Sequence, residues 1–496
     1  MNRFVPILIA SLALCGNLFG REFTVMVYNV ENLFDIDGVS RFEDYRQPPE
    51  GHYGPEQMVN KMANIRRALE AVNEGKGPEV ILFQEFELDL TPLGSPTPEA
   101  FLAMTQGRSL EELLLEERWV AALPVELLML KHLEDHGLTG YHVAKPDSFQ
   151  MADHTPHNNV VFSRFPIKFV RQRDLHDARD LQVVGLDVDG RTFIVLNNHW
   201  KSGASNADTE PIRVQNALVV RAELESILLD DPDADVIIAG DLNCYYNHKA
   251  VFADRFEETG VNDILPTHGN EKRMAGPDAD GLYNLWFELP EEERGSEVYR
   301  GYWGTLMQIL LAPGLYDNRG IQYVDNSFDR LTLPGENVDA RWGRPMRWNN
   351  VGGGVGFSDH LPLVARFRVL DEDTDGWMSL ENPTREAFTD DRPRMDFRLR
   401  DRRAVPDAEG LANLGERDRA TLLGELFRLD TVLVSERPAK VRIGDLEMQI
   451  YAPMRELRNK LDERSVGDGI TTYATLETYR GQFQFVIHDP SWILKD

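Results

Sequence analysis

The sequence predicts an α/β layered domain over residues 21–370 and a small β-rich domain over residues 426–496. Short runs of β-branched and aromatic residues recur along the first part of the chain, and each ends in polar residues, as buried strands do. Stretches with apolar residues at helical spacing lie between these runs, a pattern that predicts helices packed on sheets. Toward the C terminus, short strand-like runs follow one another, which favours a β-barrel.

The first twenty residues have the layout of a secretory signal peptide. Arg3 precedes an apolar run over residues 4–14, and small and polar residues follow it. The run is too short to span a bilayer. We therefore expect residues 1–20 to be a signal peptide and the protein to be secreted or periplasmic, with a lipid anchor at Cys15 as the alternative. No later segment is apolar enough for an integral membrane segment.

The predicted elements follow in order along residues 21–370. Helices are expected at 58–74, at 109–137 with a break at Pro124, and at 211–230 after Pro211, a residue suited to a first helical turn. Strands are expected at 23–30, 80–87, 157–167, 181–188, 192–200, 235–243, 306–313 and 361–369.

Residues 371–425 differ from both flanking regions because they begin with a charge-rich stretch of weak periodicity. We predict an acidic linker there, with a Ca²⁺ contact through Asp371, Asp373 and Asp375 as an alternative. The net charge of the whole chain is -29. This charge disfavours non-specific attraction to nucleic acid or anionic membranes, although a metal ion can neutralise the local field of a site.

Polar residues gather at the predicted strand ends. They comprise four carboxylates, two carboxamides and two imidazoles, namely Glu31, Glu85, Asp241, Asp359, Asn29, Asn243, His199 and His360. Carboxylate ligands such as Glu31, Glu85 and Asp359 suit Mg²⁺ or Mn²⁺, and such an ion can stabilise charge on a phosphoryl group. Asp241 or His360 could accept a proton from water, and a protonated His199 could donate to a phosphate. The set predicts metal-assisted hydrolysis of a phosphate ester.

The order of the motifs resembles the endonuclease/exonuclease/phosphatase superfamily, which includes deoxyribonuclease I, and in particular its bacterial extracellular branch. The matching stretches are YNVENLFD, ILFQE, FSRFPI, NNHWKS, IIAGDLN and GGGVGFSDHLPLVARF. The resemblance implies a four-layer α/β sandwich, with two face-to-face β-sheets flanked by helices.

The resemblance also implies roles for the site residues. Asn29 would contact phosphate and water, and Glu31 would be an accessory metal ligand beside the principal ligand Glu85. His199 and His360 would be the two catalytic imidazoles, with Asp359 as a further carboxylate at the metal. Asp241 and Asn243 would activate and orient the attacking water.

One position departs from the family. Met307 stands where the family has an Asp that hydrogen-bonds the second catalytic histidine. Loss of the equivalent Asp in a catalytic triad costs about 10⁴ in turnover. Asp325 or Asp329 could substitute, or the protein could be a catalytically impaired binding protein.

The C-terminal residues resemble an OB-type barrel, a fold that binds single strands on aromatic platforms. Tyr473, Tyr479, Phe483 and Trp492 would supply such platforms. The favoured function is a divalent-metal-dependent nuclease, with nucleic acid as the partner. The alternative is a lipid or small-molecule phosphodiesterase or phosphatase similar to sphingomyelinases, because the shared motifs contact only the phosphate.

Overall fold

The computed structural model describes residues 20–42, 45–46, 51–89, 94–145, 156–349, 354–399 and 402–494. Apart from Gly20, the predicted signal peptide lies outside these residues, as does Cys15. Within the described ranges, no helix combines the length and the apolar character needed to cross a membrane.

The strands of the first part of the chain are β1 Glu22–Leu33, β2 Val80–Glu87, β3 His142–Ala144, β4 His157–Ser163, β5 Ile167–Arg173, β6 Leu181–Val188, β7 Arg191–His199, β8 Asp235–Asp241, β9 Thr267–Asn270, β10 Leu282–Asn284, β11 Glu297–Tyr299, β12 Tyr302–Gly304, β13 Met307–Leu311, β14 Ile321–Tyr323, β15 Asp329–Arg330, β16 Leu363–Val369 and β17 Arg385–Glu386. The C-terminal strands are β18 Leu426–Glu436, β19 Ala439–Ile443, β20 Leu446–Tyr451, β21 Gly469–Tyr479 and β22 Gln482–Val486. The helices are α1 Pro55–Glu70, α2 Pro98–Met104, α3 Leu110–Glu116, α4 Val125–Asp135, α5 Glu210–Asp230, α6 His248–Val251, α7 Glu416–Ala420 and α8 Arg455–Asp462.

Two large sheets face each other. The first has the strand order β14-β16-β1-β2-β4-β3 with β15 beside β16, and the second has the order β17-β9-β10-β13-β8-β7-β6-β5. Their inner faces share one apolar core that includes Val27, Leu82, Val195 and Ile237. Residues of α1 and α4 cover the outer face of the first sheet, and residues of α5 cover that of the second. The expected four-layer sandwich is confirmed.

The predicted helices are present, with boundaries that local chemistry explains. Pro124 precedes α4 as its capping residue, so the expected break falls there. Helix α1 ends at Glu70, four residues before the predicted end. Asn73 and Glu74 adopt left-handed backbone angles, with φ of 54° and 55°, which an α-helix of L-residues does not accommodate.

The C-terminal strands close into a barrel with the order β18-β19-β20-β22-β21. Numbered within the barrel, this order is 1-2-3-5-4; the third and fifth strands are parallel, and α8 lies between the third and fourth. The hairpin between β21 and β22 turns at Arg480 and Gly481, whose φ angles of 48° and 70° match the two central positions of a type I′ turn.

The expected linker packs against both neighbouring domains. Strand β17 pairs with β9, while Phe397 and Leu411 belong to the apolar core of the barrel. Asp373 and Asp375 pair with arginines at 2.8 and 2.9 Å, so these two carboxylates already have cationic partners in the described structure.

Two of the four predicted aromatic platforms are buried. Tyr473 is 5% exposed and Trp492 is 0% exposed, and both belong to the core that the barrel shares with the preceding domain. The Arg402 guanidinium lies over Tyr473, 5.8 Å from the ring centre. Phe483 is half-buried, whereas Tyr479 is exposed. The prediction of an aromatic surface at Tyr473 and Trp492 is therefore wrong, because the packing of the barrel covers these rings.

Candidate active site

The predicted site residues meet at one edge of the two sheets. Strands β1 and β2 are parallel, and so are β7 and β8, so their carboxyl ends point the same way. The predicted site residues lie at or near those carboxyl ends, and His360 lies in the segment just before β16. Along each strand, successive side chains point to opposite faces of the sheet, and apolar ones fill the cores on both faces. The polar side chains of the site occur where these apolar stretches end.

Asp241, at the end of β8, lies at the centre of the group. Its Oδ2 accepts a hydrogen bond from Asn29 Nδ2 at 3.1 Å, and its Oδ1 accepts one from the Asn243 backbone N–H at 2.9 Å. The same Oδ2 lies 3.7 Å from His199 Nε2 and 3.8 Å from His360 Nε2. One carboxylate oxygen thus faces both predicted catalytic histidines.

Two β-bulges turn acidic side chains toward this edge. The pairing register shifts around Glu31 in β1 and around Glu85 in β2. At these residues φ is 54° and 67°, an uncommon conformation for non-glycine residues that clusters at functional sites. Asn29 Nδ2 also donates to Glu85 Oε1 at 3.0 Å, which links the Glu85 carboxylate to Asp241 through one carboxamide.

His199 lies in surroundings that disfavour a positive charge. Burial lowers the pKa of His199 well below its ordinary value, and Arg179, His157 and His360 lower it further. His199 is therefore neutral near pH 7, which does not fit the expectation of a protonated donor at this position.

His360 has the opposite surroundings. Burial alone would lower the pKa of His360, but nearby carboxylates, those of Asp359, Asp241, Glu297 and Glu85, outweigh burial and raise this pKa to about 9. The imidazole therefore carries its proton near pH 7.

Glu297 lies beside His360 and was not identified from the sequence. Its Oε2 is 3.9 Å from His360 Nδ1, and the backbones of the two residues form a β-bridge. Ser296 Oγ and the Leu306 backbone N–H also contact this carboxylate oxygen. Glu297 precedes Met307 by ten positions, and the hairpin β11–β12 folds it back toward β13. The sequence signal for Glu297 is Met307 itself: because this position lacks the expected Asp, another acid near His360 is needed, and the preceding hairpin contains one.

Met307 itself is a core residue. It pairs with Asp241 across β13 and β8 and is 0% exposed. The two aspartates proposed as substitutes lie outside the site. Asp325 accepts hydrogen bonds from Asn326 and from the Glu381 backbone, and Asp329 is exposed on β15. The expectation that Asp325 or Asp329 replaces the missing carboxylate is wrong, since Glu297 lies closer to the imidazole.

An arginine lies between two of the three predicted metal ligands. Arg347 donates to Glu31 through Nε, and its Nη2 lies 3.6 Å from Asp359 Oδ2. The other Glu31 oxygen accepts from the Trp348 backbone N–H at 3.2 Å. Glu85 has no such cation in direct contact among the described residues, and burial raises its pKa. Its Oε1 lies 3.8 Å from His199 Nε2. The Glu85 carboxylate is therefore available to a cation, whereas the carboxylates of Glu31 and Asp359 already interact with Arg347.

Three groups of side chains within the described ranges could hold a metal ion, and none of them contains Glu31, Glu85 or Asp359. They are Glu111 with His132 and His136, Glu210 with Cys244 and His248, and Glu271 with Glu288 and Asp325. In the second group Arg213 contacts Glu210 at 2.6 Å, so that carboxylate is already paired.

Comparisons with known proteins agree with the expected family. Residues 126–368 match the model of the Endonuclease/Exonuclease/phosphatase family. A search of curated proteins returns no match.

Several solved structures resemble the chain weakly. TDP2 from C. elegans is 13% identical over 70% of this chain and 75% of that chain, with a TM-score of 0.39. ANGEL2, a 2',3'-cyclic phosphatase, is 14% identical over 71% and 96%, with a TM-score of 0.40. An endonuclease/exonuclease/phosphatase family protein from Bacteroides thetaiotaomicron is 12% identical over 70% and 98%, with a TM-score of 0.36. These similarities are too low to transfer a substrate.

The matched segment contains β7 and β8 with His199 and Asp241, and it also contains Asn243, Asp359 and His360. Residues 126–368, just under half of the chain, are therefore similar to the Endonuclease/Exonuclease/phosphatase family, while Asn29 and Glu85 lie outside the matched segment.

Proposed function

We propose that the chain is a secreted, divalent-metal-dependent phosphodiesterase, and that its substrate is nucleic acid. The observation that carries the proposal is the position of Asp241 between a neutral and a protonated histidine, at distances of 3.7 and 3.8 Å. A carboxylate in this position can accept a proton from water while an imidazolium beside it stabilises negative charge on a phosphate.

The side chains divide this chemistry among them. Asp241 accepts the proton of the attacking water, and Asn243 and Asn29 orient that water and the phosphate. His360 donates a hydrogen bond to a phosphate oxygen, and the nearby charge of Glu297 favours the protonated form of its ring. His199 stays neutral and contacts the substrate through Nε2. These roles agree with the family resemblance except for the source of the carboxylate that orients His360.

The carboxylate of Glu85 fits a Mg²⁺ or Mn²⁺ ion, because it is an oxygen donor whose charge is not neutralised by a contacting cation in the described structure. Asp359 lies at the same edge, and its side chain is 37% exposed. Glu31 would take part only if Arg347 moved away from it. A bound ion would supply positive charge for the phosphoryl group and the leaving oxygen.

The finer assignments rest on sequence patterns. Secretion rests on the signal-peptide layout of residues 1–20, and the bacterial extracellular branch rests on the motif YNVENLFD. The order of the barrel strands and the position of α8 support an OB-like barrel, a fold used for single-stranded nucleic acid. The Glu297 carboxylate, 3.9 Å from His360 Nδ1, supports an active enzyme over the catalytically impaired binding protein that Met307 suggests.

The test is hydrolysis of single- and double-stranded DNA, RNA, sphingomyelin and bis-p-nitrophenyl phosphate by the full chain, with Mg²⁺, with Mn²⁺ and with chelator. We expect metal-dependent cleavage of nucleic acid. Cleavage of sphingomyelin alone would mean that the substrate is a lipid and not nucleic acid. A folded protein that cleaves none of these substrates would contradict the proposal.

Metal binding is tested separately by calorimetry with Mn²⁺. Glu85→Gln should weaken Mn²⁺ binding and abolish metal-dependent cleavage, because the variant removes the carboxylate that faces the ion. The matched control is Glu111→Gln, which removes a carboxylate from a different cluster. Equal Mn²⁺ affinity of the native chain and Glu85→Gln would contradict the assignment of this ligand.

A further inference from the structure

A cavity of about 540 Å³ lies between the active-site edge and the C-terminal barrel. Arg347 and Asp359 line one end, so the cavity opens beside the carboxylate of Asp359, which we place near the substrate phosphate. The turn of the β11–β12 hairpin forms one wall, and the barrel forms the opposite wall. A substrate group attached to that phosphate could enter the cavity without leaving the active site.

The barrel wall is a regular strand surface. Gln449 pairs with Gln484 across β20 and β22, and Gln484 pairs with Glu477 across β22 and β21. Alternate residues of these strands, Tyr451 and Tyr479 among them, lie on the same face. All five residues line the cavity, whereas Ile450, Phe485 and Leu476 between them are buried in the barrel.

The exposed tyrosines of the chain are concentrated here. All 14 tyrosines fall within the described residues, and three of them are exposed: Tyr299 at 55%, Tyr451 at 37% and Tyr479 at 53%. Every one of the three lines this cavity. Exposed aromatic rings offer flat faces on which a base can stack, and such stacking tolerates any base.

The polar groups of the cavity suit a neutral, hydrogen-bonding ligand beside an anion. The carboxamides of Gln449 and Gln484 offer both donors and acceptors. The Glu477 carboxylate is neutralised by Arg344, at 2.7 Å, and also shares a hydrogen bond with His488. Arg300 lies 5.0 Å from the centre of the Tyr299 ring and adds an exposed positive charge at the hairpin.

We infer that this cavity is a subsite for an unpaired nucleobase next to the scissile phosphate, with Tyr299, Tyr451 and Tyr479 as its stacking surfaces. The inference deepens the proposed function and rests on it, because it identifies the group attached to the phosphate. It also gives the barrel a role in substrate binding, since β20, β21 and β22 supply one wall. Stacking on a ring requires a base whose face is free, so the inference includes a preference for single strands at this site.

The test measures binding by the full chain in chelator, where no cleavage occurs. The probes are a fluorescein-labelled 12-nucleotide single strand and an abasic oligomer of the same length, which keeps the phosphates and lacks the bases. The native chain should bind the base-bearing strand more tightly. Tyr479→Ala and Tyr451→Ala should each weaken that binding by about 5- to 100-fold, the effect of losing one stacking surface, and leave abasic binding nearly unchanged.

Two variants control for misfolding. Tyr479→Phe keeps the ring and should retain the native preference. Trp377→Ala removes an aromatic residue that is 42% exposed outside the cavity, and it should bind both oligomers like the native chain. Equal affinity of the native chain for both oligomers, absence of binding, or an unchanged preference in both alanine variants would overturn the inference. Because no turnover is measured, this failure is distinguishable from a failure of the proposed hydrolysis.

Discussion

His199 and His360 lie at nearly equal distances from the same carboxylate oxygen of Asp241, 3.7 and 3.8 Å, yet their surroundings differ. On the His199 side, burial combines with the cationic Arg179 and lowers the pKa. On the His360 side, Asp359 and Glu297 outweigh burial and raise the pKa. The protonation of each imidazole is therefore set by residues of other elements. A motif that places two histidines in a site does not specify which one carries the proton.

Asp241→Asn should have the largest effect, because it removes the carboxylate that both imidazoles share. We expect kcat for phosphodiester hydrolysis to fall by about 10³-fold, within the range of lost general-base catalysis. Steady-state kinetics with Mg²⁺ measure this effect. Asp208→Asn, at an exposed position, serves as the control. If Asp241→Asn retained more than a tenth of native turnover, Asp241 would not be the base.

Met307→Asp should destabilise the protein without raising its activity. The new carboxylate would be fully buried next to the like charge of Asp241 and would compete with Glu297 for the His360 imidazolium, so we expect a loss of about 3 kcal/mol in the free energy of unfolding. Chemical unfolding measures the loss. Met307→Leu conserves volume and should cost less than about 1.5 kcal/mol. A gain in turnover with native stability would mean that Glu297 does not replace the missing acid.

Glu297→Gln should lower kcat by about 100-fold, because His360 loses a carboxylate that favours its protonated form. Removing a nearby negative charge disfavours the imidazolium, so the pKa of His360 should fall from about 9. Activity that needs this proton declines as pH rises through that pKa, so the alkaline limb of the pH–rate profile should move to lower pH. The control is Asp329→Asn, and an unmoved limb in Glu297→Gln would refute the positioning role.

Arg179→Met should give the smallest change. Loss of this cation should raise the pKa of His199, although burial still holds it below its ordinary value. Histidine ring signals followed by NMR during a pH titration report the shift. Arg173→Met is a matched control. It removes an arginine that pairs with Glu223 at 2.7 Å and that does not contribute to the lowered pKa of His199. An unchanged His199 titration would show that burial alone keeps this imidazole neutral.

Much of the fold could be predicted because the apolar runs that form strands are interrupted by clear turn residues. The same apolar runs also predict that several polar residues lie close together, because these residues stand at the ends of predicted strands. They are Asn29, Glu85, His199, Asp241 and His360. Their roles stay predictions.

The rest of the site depends on tertiary packing. Glu297 and Arg347 reach the site from a hairpin and a loop, whose placement no local pattern specifies. The bulges at Glu31 and Glu85 require left-handed angles at non-glycine residues, for which the sequence has no signal. In the barrel, alternation along β21 puts Tyr473 and Tyr479 on the same face, but only packing against Arg402 and its neighbours separates the covered ring from the exposed one.

The barrel and the site are joined by the residue that follows His360. Leu361 is fully buried and belongs to the same apolar core as Leu429, Val441 and Phe485 of the barrel. The backbone that carries the imidazole is therefore continuous with an apolar core that extends into the barrel. We therefore expect that a truncation before Leu426 would weaken the apolar packing next to His360, and that an exchange of barrels between proteins would have to preserve this shared core.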